Sequence, residues 1–355
     1  MDKAKAAPSR QVLPEFGAAL QRRLSHDYFP PIFHRHKGQS VKSIVHIGHP
    51  KTGTTSIQKF LWTNRASLRQ QGILYRRYSR LIEQPELAVT VHHRLGAIVS
   101  NPLLCSSLGI RDISSQAKVV KRFEAAVAAD LSSTGAHTMV FSCEYLGIPS
   151  RGHPGISALR DWLAERFKET RIILYIRRQD QFLESDYSQY LRNGGHLSFE
   201  TWLTTAKPPN LNQMVLRWER VFGPDALEVR VFDRRCLAKG NLVDDFCTVA
   251  GLPLDGMSRQ PLVRNKQYSM RQAELVRRCN SFVPEGLRSK TSGRIARKLC
   301  RVLIESLVPA GIGRIHLPAQ ARQMILEDVR RSNEALRQRR FPDSKELLPG
   351  TSCGS

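Results

Sequence analysis

Short apolar runs alternate with segments of helical spacing over residues 41–255. The apolar runs are rich in β-branched side chains and predict buried strands. They occupy residues 43–47, 72–75, 137–143, 171–176 and 227–232. Apolar residues recur at helical spacing over residues 54–61, 118–131, 156–167, 179–191, 211–222 and 242–250. Strands that alternate with helices indicate right-handed βαβ units, so we predict an α/β fold with three layers, a central parallel sheet between two layers of helices.

The strand pattern stops at about residue 255, and the rest of the chain has helical spacing. Three further helices are predicted at residues 270–282, 295–308 and 320–336. We therefore divide the chain into four parts. They are an N-terminal extension without sustained periodicity (1–40), an α/β core (41–255), a basic helical C-terminal extension packed on the core (256–341) and a flexible tail rich in Pro, Gly and Ser (342–355).

The net charge of the chain is unusually positive for an ordinary globular composition. Of the 355 residues 41% are hydrophobic and 24% are charged, which excludes a disordered or fibrous chain, yet the formal net charge is +24. Such a charge favours an anionic partner: a nucleotide, an acidic glycan, a membrane surface or nucleic acid. A charge that serves only solubility is the alternative interpretation.

The cysteines and the N-terminal residues indicate the cellular compartment in which the protein works. The seven cysteines are an odd number without a C-x-x-C pair, so neither a disulfide framework nor a zinc site is indicated. The first ten residues lack an apolar signal core, and no apolar run approaches the ~18 residues of a spanning helix. These features predict a cytoplasmic protein, with peripheral contact to the inner face of the membrane as a further option.

A loop between the first strand and the first helix has the composition of a phosphate-binding site. Gly48 and Gly53 permit the backbone turns that bring unpaired N–H groups of a helix start toward one anion, and Lys51 adds a positive charge. The predicted binding residues are His49, Pro50, Lys51, Thr52, Gly53, Thr54, Thr55 and Ser56.

This loop departs from the pattern of nucleotide-hydrolysing enzymes. The pattern G-x-x-x-x-G-K-[ST] places a lysine directly after the second glycine, but Thr54 occupies that position and the lysine lies inside the loop as Lys51. A charge inside the loop suits a site that holds a single terminal phosphate. A nucleoside-triphosphate-dependent kinase or hydrolase, with Glu144 as its metal-associated carboxylate, is the alternative.

A second candidate anion site follows the most apolar strand. Arg177 comes directly after the strand at residues 171–176, and Ser185 lies eight residues later in the first turns of the next helix. An arginine at a strand end and a hydroxyl on the adjoining helix can converge on one phosphate. The alternative is a surface arginine and an ordinary helix hydroxyl.

The two motifs together resemble those of sulfotransferases. The segment P-K-T-G-T-T-S at residues 50–56 closely resembles the 5′-phosphosulfate loop of enzymes that use 3′-phosphoadenosine 5′-phosphosulfate (PAPS). Arg177, Ser185 and Tyr187 match the register in which that family binds the 3′-phosphate. Arg178 and Gln179 depart from it, since an acidic residue and a proline are common there.

The resemblance covers about residues 42–255, and weaker matches to bacterial sulfotransferase-like proteins occur at residues 222–246 and in S-N-E-A-L at residues 332–336. It implies a P-loop-type fold and sulfuryl transfer from PAPS, without a metal, to a hydroxyl of a glycan or glycolipid, with an anionic acceptor as one option. Lys51 would offset the charge that grows on the leaving phosphate.

An acceptor hydroxyl needs a general base. Glu144, at the end of the third strand, lies where sulfotransferases place one, although a strand-end glutamate also serves as a structural ion-pair partner. His92 and His93 are the other candidates, in a segment at residues 89–108 that lacks clear periodicity and that we expect to form an acceptor-side loop.

The basic helical extension leaves two interpretations open. Ile295, Leu299, Val302 and Leu303 share a helix with Arg294, Arg297, Lys298 and Arg301, which fits either a solvated face or a patch for acceptor or membrane. Charge alone also supports a nucleic-acid-binding protein, but no recognised module for that function is present in the sequence.

Overall fold

Five parallel strands form the centre of the molecule. The computed structural model describes residues 41–133, 135–147, 152–259, 268–284, 291–308, 313 and 315–350, so the N-terminal extension and residues 351–355 lie outside the description. The strands are β1 (Lys42–His46), β2 (Ile73–Leu74), β3 (Thr138–Ser142), β4 (Glu169–Ile176) and β5 (Leu227–Val231). They pair in the order β2-β3-β1-β4-β5, every pair parallel, which confirms the predicted α/β fold class.

Thirteen α-helices occur in the described parts of the chain. They are α1 (Thr54–Thr63), α2 (Arg65–Gln70), α3 (Glu86–Arg94), α4 (Pro102–Leu108), α5 (Ile113–Ser133), α6 (Gly152–Ala164), α7 (Gln179–Arg192), α8 (Phe199–Thr205), α9 (Leu211–Phe222), α10 (Leu242–Ala250), α11 (Met270–Phe282), α12 (Thr291–Leu307) and α13 (Ala319–Arg340). None of these helices is long and apolar enough to cross a bilayer.

The expectation of a loop at residues 89–108 is wrong. The segment contains the end of α3 and all of α4. Every residue of α3 from Glu86 to Val91 is buried, so this helix shows no alternation between an apolar and a polar face. The start of α4 carries a local signal, because the side chain of Asn101 accepts hydrogen bonds from the N–H groups of Leu103 and Leu104.

The sheet is covered by helices on both faces. Along β1, Val45 points into a core formed with α6 and α9, and Ile44 points into a second core formed with α1 and α10. Alternation along the strand therefore places successive side chains in opposite cores. Burial of each such aliphatic side chain stabilises the fold by ~1.5–3 kcal/mol.

The carboxyl ends of the strands meet at one edge of the sheet. Because β1 lies between β3 and β4, the chain after β1 connects toward one side of the sheet and later returns to the other. Ligands of open α/β sheets bind at such a reversal, outside the carboxyl ends of the strands. The segments that follow β1, β3 and β4 begin there, with Gly48, Glu144 and Arg177.

A buried aspartate ties β4, β5 and α10 together beneath this edge. Asp245 accepts hydrogen bonds from Tyr175, from the Ala238 N–H and from two nitrogens of Arg230. Burial acts to raise the pKa of Asp245, but these donors hold it below its usual range. The segment that follows β5 is thereby fixed beside the loop after β1.

Helix α11 contacts the core through α7, and α13 contributes Leu336 to the first apolar core. A third apolar cluster contains Leu183, Tyr187 and Trp202 from α7 and α8, together with Val276 from α11. The side chain of Asn280, also on α11, donates to the carbonyls of Leu191 and Gly195. The helix that carries Ser185 is therefore packed between the α/β core and the C-terminal region.

Candidate functional site

The loop between β1 and α1 has an unusual backbone. Lys51 and Gly53 both adopt the left-handed region, with φ of 68° and 83°. A Cβ on Gly53 would lie 2.4 Å from the Cδ2 atom of Leu242 at the start of α10. Gly53 is therefore required both by its conformation and by this close approach.

Unused donors collect at the start of α1. The Ser56 N–H donates to the Gly53 carbonyl at 2.8 Å, but the N–H groups of Gly53, Thr54 and Thr55 donate to no described residue. The Thr54 hydroxyl is buried and has no hydrogen-bond partner among the described residues. Together with the positive end of the helix dipole, these groups form a site for an anion.

Other predicted loop residues shape the loop. The Thr52 hydroxyl donates to the His49 carbonyl at 2.6 Å. The His49 ring is buried with its centroid 4.9 Å from that of Phe182 on α7. Burial, with the positive charge of Arg177, lowers the pKa of His49 to about 4, so its imidazole is neutral at physiological pH. Pro50 and Thr55 are half-buried, and Ser56 is buried.

Lys51 lies between the loop and α7. Its Nζ donates to Oε1 of Gln189 at 2.9 Å. Burial lowers the pKa of Lys51, and the negative charges of Glu144 and Asp186 act in the opposite direction. The ammonium is therefore held near two carboxylates, one from the segment after β3 and one from α7.

Arg177 contacts the phosphate loop directly. Its Nη1 donates to the carbonyl oxygen of Lys51 at 2.9 Å, and its guanidinium carbon lies 5.7 Å from the centroid of the Phe232 ring. The two motifs that the sequence separates by more than a hundred residues are adjacent in space. The strand-end arginine and the glycine loop thus form one basic surface.

Ser185 lies on the side of α7 that faces the loop. It is half-buried and makes no hydrogen bond to a described residue. Phe182 and Gln189 precede and follow it by three and four residues, and they contact His49 and Lys51 respectively. Residues at this spacing share one helix face, so the Ser185 hydroxyl is positioned beside the same loop.

The two residues that depart from the sulfotransferase pattern are held by the C-terminal region. Arg178 pairs with Asp180 through two bonds of 2.8 Å and donates to the Gly350 carbonyl at 2.7 Å. The buried Gln179 exchanges hydrogen bonds of 2.8 and 3.2 Å with Asn333 in the S-N-E-A-L segment of α13. The turn between Arg177 and α7 is therefore fixed by long-range contacts.

Two carboxylates lie in the electrostatic surroundings of Lys51, and a third interacts with one of them. Glu144 opens a short 3₁₀ turn after β3, and burial raises its pKa although the charge of Lys51 opposes the rise. The same two influences act on the pKa of Asp186. Burial and the negative charges of Glu144 and Glu86 raise the pKa of Glu83. No group of three or more His, Cys, Asp or Glu side chains in the described residues is arranged to hold a metal ion.

Asp186 and Glu83 were not among the residues predicted from the sequence. Asp186 follows Ser185 directly and precedes Gln189 by three residues. This helical spacing could have predicted from the sequence that Asp186 lies on the loop-facing side of α7. Glu83 lies in an irregular segment before α3, where no periodicity indicates a direction.

The two candidate histidines lie in the last turn of α3. His92 lines a neighbouring pocket together with Tyr145, Gly147 and Trp218. Within the described chain, no hydrogen bond, ion pair or ring contact joins His93 to Lys51, Glu144 or Arg177. The structure therefore places His92 at the pocket that the turn after Glu144 also lines, and it places Glu144 in the electrostatic surroundings of Lys51.

The pocket and the phosphate loop share a wall. A Cβ on Gly147 would lie 2.0 Å from the backbone oxygen of Gly48, so the two chain segments are in direct backbone contact. Tyr145, Leu146 and Gly147, which follow Glu144, all line the pocket. A molecule in the pocket would therefore lie against the turn that begins with Glu144.

No protein-family model matches the chain. A protein of Archaeoglobus fulgidus described as uncharacterized is 27% identical over 180 residues, which cover 50% of this chain and 48% of that protein.

The solved structures similar to the chain include a sulfotransferase from Alicyclobacillus acidocaldarius, with a TM-score of 0.43 and 11% identity over 83% of this chain and 94% of that one. The sulfotransferase domain from the curacin biosynthetic pathway matches with a TM-score of 0.35 and 11% identity over 82% and 98%. Likenesses this distant assign no activity, so the functional argument rests on the site itself.

Proposed function

We propose that the chain is a sulfotransferase that moves a sulfuryl group from PAPS to a hydroxyl of a glycan or glycolipid. The contact of Arg177 Nη1 with the Lys51 carbonyl carries the proposal, because it makes the two candidate phosphate sites neighbours within one binding site. Such a site suits a nucleotide with separate phosphates on the 3′ and 5′ carbons of one ribose. A nucleoside triphosphate has its phosphates in one chain and gives Arg177 and Ser185 no evident role.

The residues present fit such a donor. The N–H groups of Gly53, Thr54 and Thr55, with the unpartnered Thr54 hydroxyl, would hold the 5′-phosphate at the start of α1. Arg177 and Ser185 would hold the 3′-phosphate. When bound, the donor supplies an activated sulfuryl group.

Positioning and electrostatic stabilisation would supply most of the catalysis. In the transfer, the bond from sulfur to the acceptor oxygen forms as the bond from sulfur to the phosphate oxygen breaks. Lys51 would stabilise the negative charge that grows on the leaving phosphate. The proton of the acceptor hydroxyl passes to a carboxylate, which Glu144 provides in this proposal.

The role of Glu144 predicts a particular pH dependence. Only the deprotonated carboxylate accepts a proton, and burial raises the pKa of Glu144, so the rate should fall as the pH drops through that raised pKa. Glu144→Gln should lower kcat by ~10²–10⁴-fold and remove this acid limb. The measurement is kcat against pH with a saturating donor.

Asp186→Asn is the matched control, because Asp186 also lies near Lys51 and its pKa is also raised by burial. We expect this variant to keep most of the rate and the acid limb. The opposite pattern would assign the base to Asp186. An acid limb that survives in both variants would exclude both carboxylates, and His92→Ala would then be the next variant to measure.

Protection against thermal unfolding tests the cofactor class. A ligand at about a hundred times its Kd stabilises the folded chain by ~2.7 kcal/mol, which raises Tm by several degrees. We expect adenosine 3′,5′-bisphosphate to give this shift without magnesium, and ATP with magnesium to give none. The reverse result would support the kinase or hydrolase alternative. No shift with either ligand, together with salt-sensitive binding to random DNA, would support the nucleic-acid alternative.

The acceptor can be identified by transfer of label. The full chain would be incubated with ³⁵S-labelled PAPS and a cell-envelope extract, and the glycan, lipid and protein fractions would then be separated. Label in the glycan or glycolipid fraction is the expected result. Label confined to the protein fraction would contradict the acceptor class.

A further inference from the structure

Helix α12 packs on the protein through a mixed face, in which Ile304 contacts the third apolar cluster beside the charged Arg297 and Arg301. Its Glu305 accepts a hydrogen bond from the Tyr268 hydroxyl at 3.0 Å, and its Arg301 lies against the carbonyl of Arg192. Arg297 approaches so closely that a Cβ on Gly194 would lie 2.9 Å from its Nε. Charged side chains, which an amphipathic surface helix normally turns to solvent, therefore share the packed face of α12 with Ile304.

The opposite side of α12 is apolar and exposed. Five aliphatic residues, each 47–77% exposed, follow one another at helical spacing; they are Ile295, Leu299, Val302, Leu303 and Leu307. We call these five residues the α12 stripe. Single exposed leucines are ordinary, but five on one helix face form a continuous patch that marks an interaction surface.

Charge decides which partner covers the stripe. The exposed Lys298 lies three residues after Ile295 and four before Val302, at the edge of the stripe. Arg297 and Arg301 face the protein, so Lys298 is the described cation at this edge, and the whole chain carries a net charge of +24. Two copies of such a chain repel each other, whereas an anionic lipid surface attracts it.

We propose that α12 docks this protein on an anionic lipid bilayer, with the α12 stripe inserted at the level of the headgroups. Apolar side chains at this depth, combined with attraction to anionic lipids, hold a protein on one leaflet without a spanning helix. The proposal is independent of the sulfotransferase activity, since it needs neither donor nor acceptor. It would also bring the chain to the surface at which a glycolipid acceptor is presented.

Flotation with lipid vesicles tests the proposal on the full chain. The wild type should float with vesicles that contain phosphatidylglycerol and remain behind with pure phosphatidylcholine, and added salt should weaken the binding. The double variant Leu299→Asn, Leu303→Asn should reduce partition into the anionic vesicles by about tenfold or more. Both leucines are exposed, so the Tm of this variant should stay unchanged.

Leu103→Asn is the matched control, because Leu103 on α4 is 60% exposed, as Leu299 is. This variant should float like the wild type. A wild type that ignores anionic vesicles, or a double variant that still floats with them, would overturn the proposal. A wild-type dimer that the double variant turns into a monomer would show that a second copy covers the stripe, and would overturn it as well.

Discussion

Replacing Lys51 with alanine will slow sulfuryl transfer by about 10²–10³-fold, the loss typical of removing one charge-stabilising donor from an active site. The Lys51 ammonium is placed between the loop and α7, near Glu144 and Asp186, where burial strengthens its interaction with a developing negative charge. The stabilisation is needed most in the transition state, so kcat should fall while donor affinity changes little. Single-turnover rates and the Kd of adenosine 3′,5′-bisphosphate measure the two effects separately.

Lys59→Ala is the matched control for this prediction. Lys59 lies one helical turn and a half into α1, carries the same charge and is half-buried, but it makes no contact with the loop. Its variant should retain the transfer rate. If Lys51→Ala instead keeps the transfer rate and loses affinity for adenosine 3′,5′-bisphosphate, Lys51 binds the donor before the reaction and does not stabilise the transition state. The role proposed for it is then wrong.

Replacing Arg177 with alanine will weaken binding of adenosine 3′,5′-bisphosphate by roughly 10–100-fold, the range expected from losing a hydrogen bond between charged groups. At a saturating donor concentration kcat should change little. Adenosine 5′-monophosphate lacks the 3′-phosphate, so the wild type should bind it more weakly than the bisphosphate. In Arg177→Ala the two ligands should bind almost equally, which isothermal titration can measure.

Arg171→Ala is the matched control for Arg177→Ala, because Arg171 lies on β4, the strand that Arg177 follows. Arg171 pairs at 3.7 Å with Glu228 and lies near the amino end of β4, away from the site. Its variant should keep the preference for the bisphosphate. If Arg177→Ala still prefers the bisphosphate over the monophosphate as strongly as the wild type, Arg177 does not bind the 3′-phosphate.

Local patterns were enough to predict the sheet and the loop. The strands that line the site are buried runs of β-branched residues, and the loop after β1 is a contiguous motif whose conformation its own glycines permit. The pairing of Arg177 with this loop was predictable because parallel strands bring their carboxyl ends to one edge. Each of these features depends on sequence that is local or on a general rule of topology.

The remaining features depend on contacts between distant segments. No local signal connects Gln179 with Asn333, although their side chains fix the turn beside Arg177. Helix α3 was missed because its first six residues are all buried, with the polar Glu86 and Thr90 among them, so burial there follows no helical period. Asp186 has the spacing of a site residue, but only the packing of α7 against the loop distinguishes it from an ordinary helix carboxylate.

The contact between Gly147 and Gly48 restricts how this site can diverge. Backbone atoms cannot rotate aside as a side chain can, so any larger residue at position 147 must displace the donor loop itself. Half-buried residues elsewhere in the pocket wall, such as Arg217, face no such restriction. Descendants of this chain that adopt new acceptors should therefore exchange such half-buried pocket residues while keeping glycine at position 147.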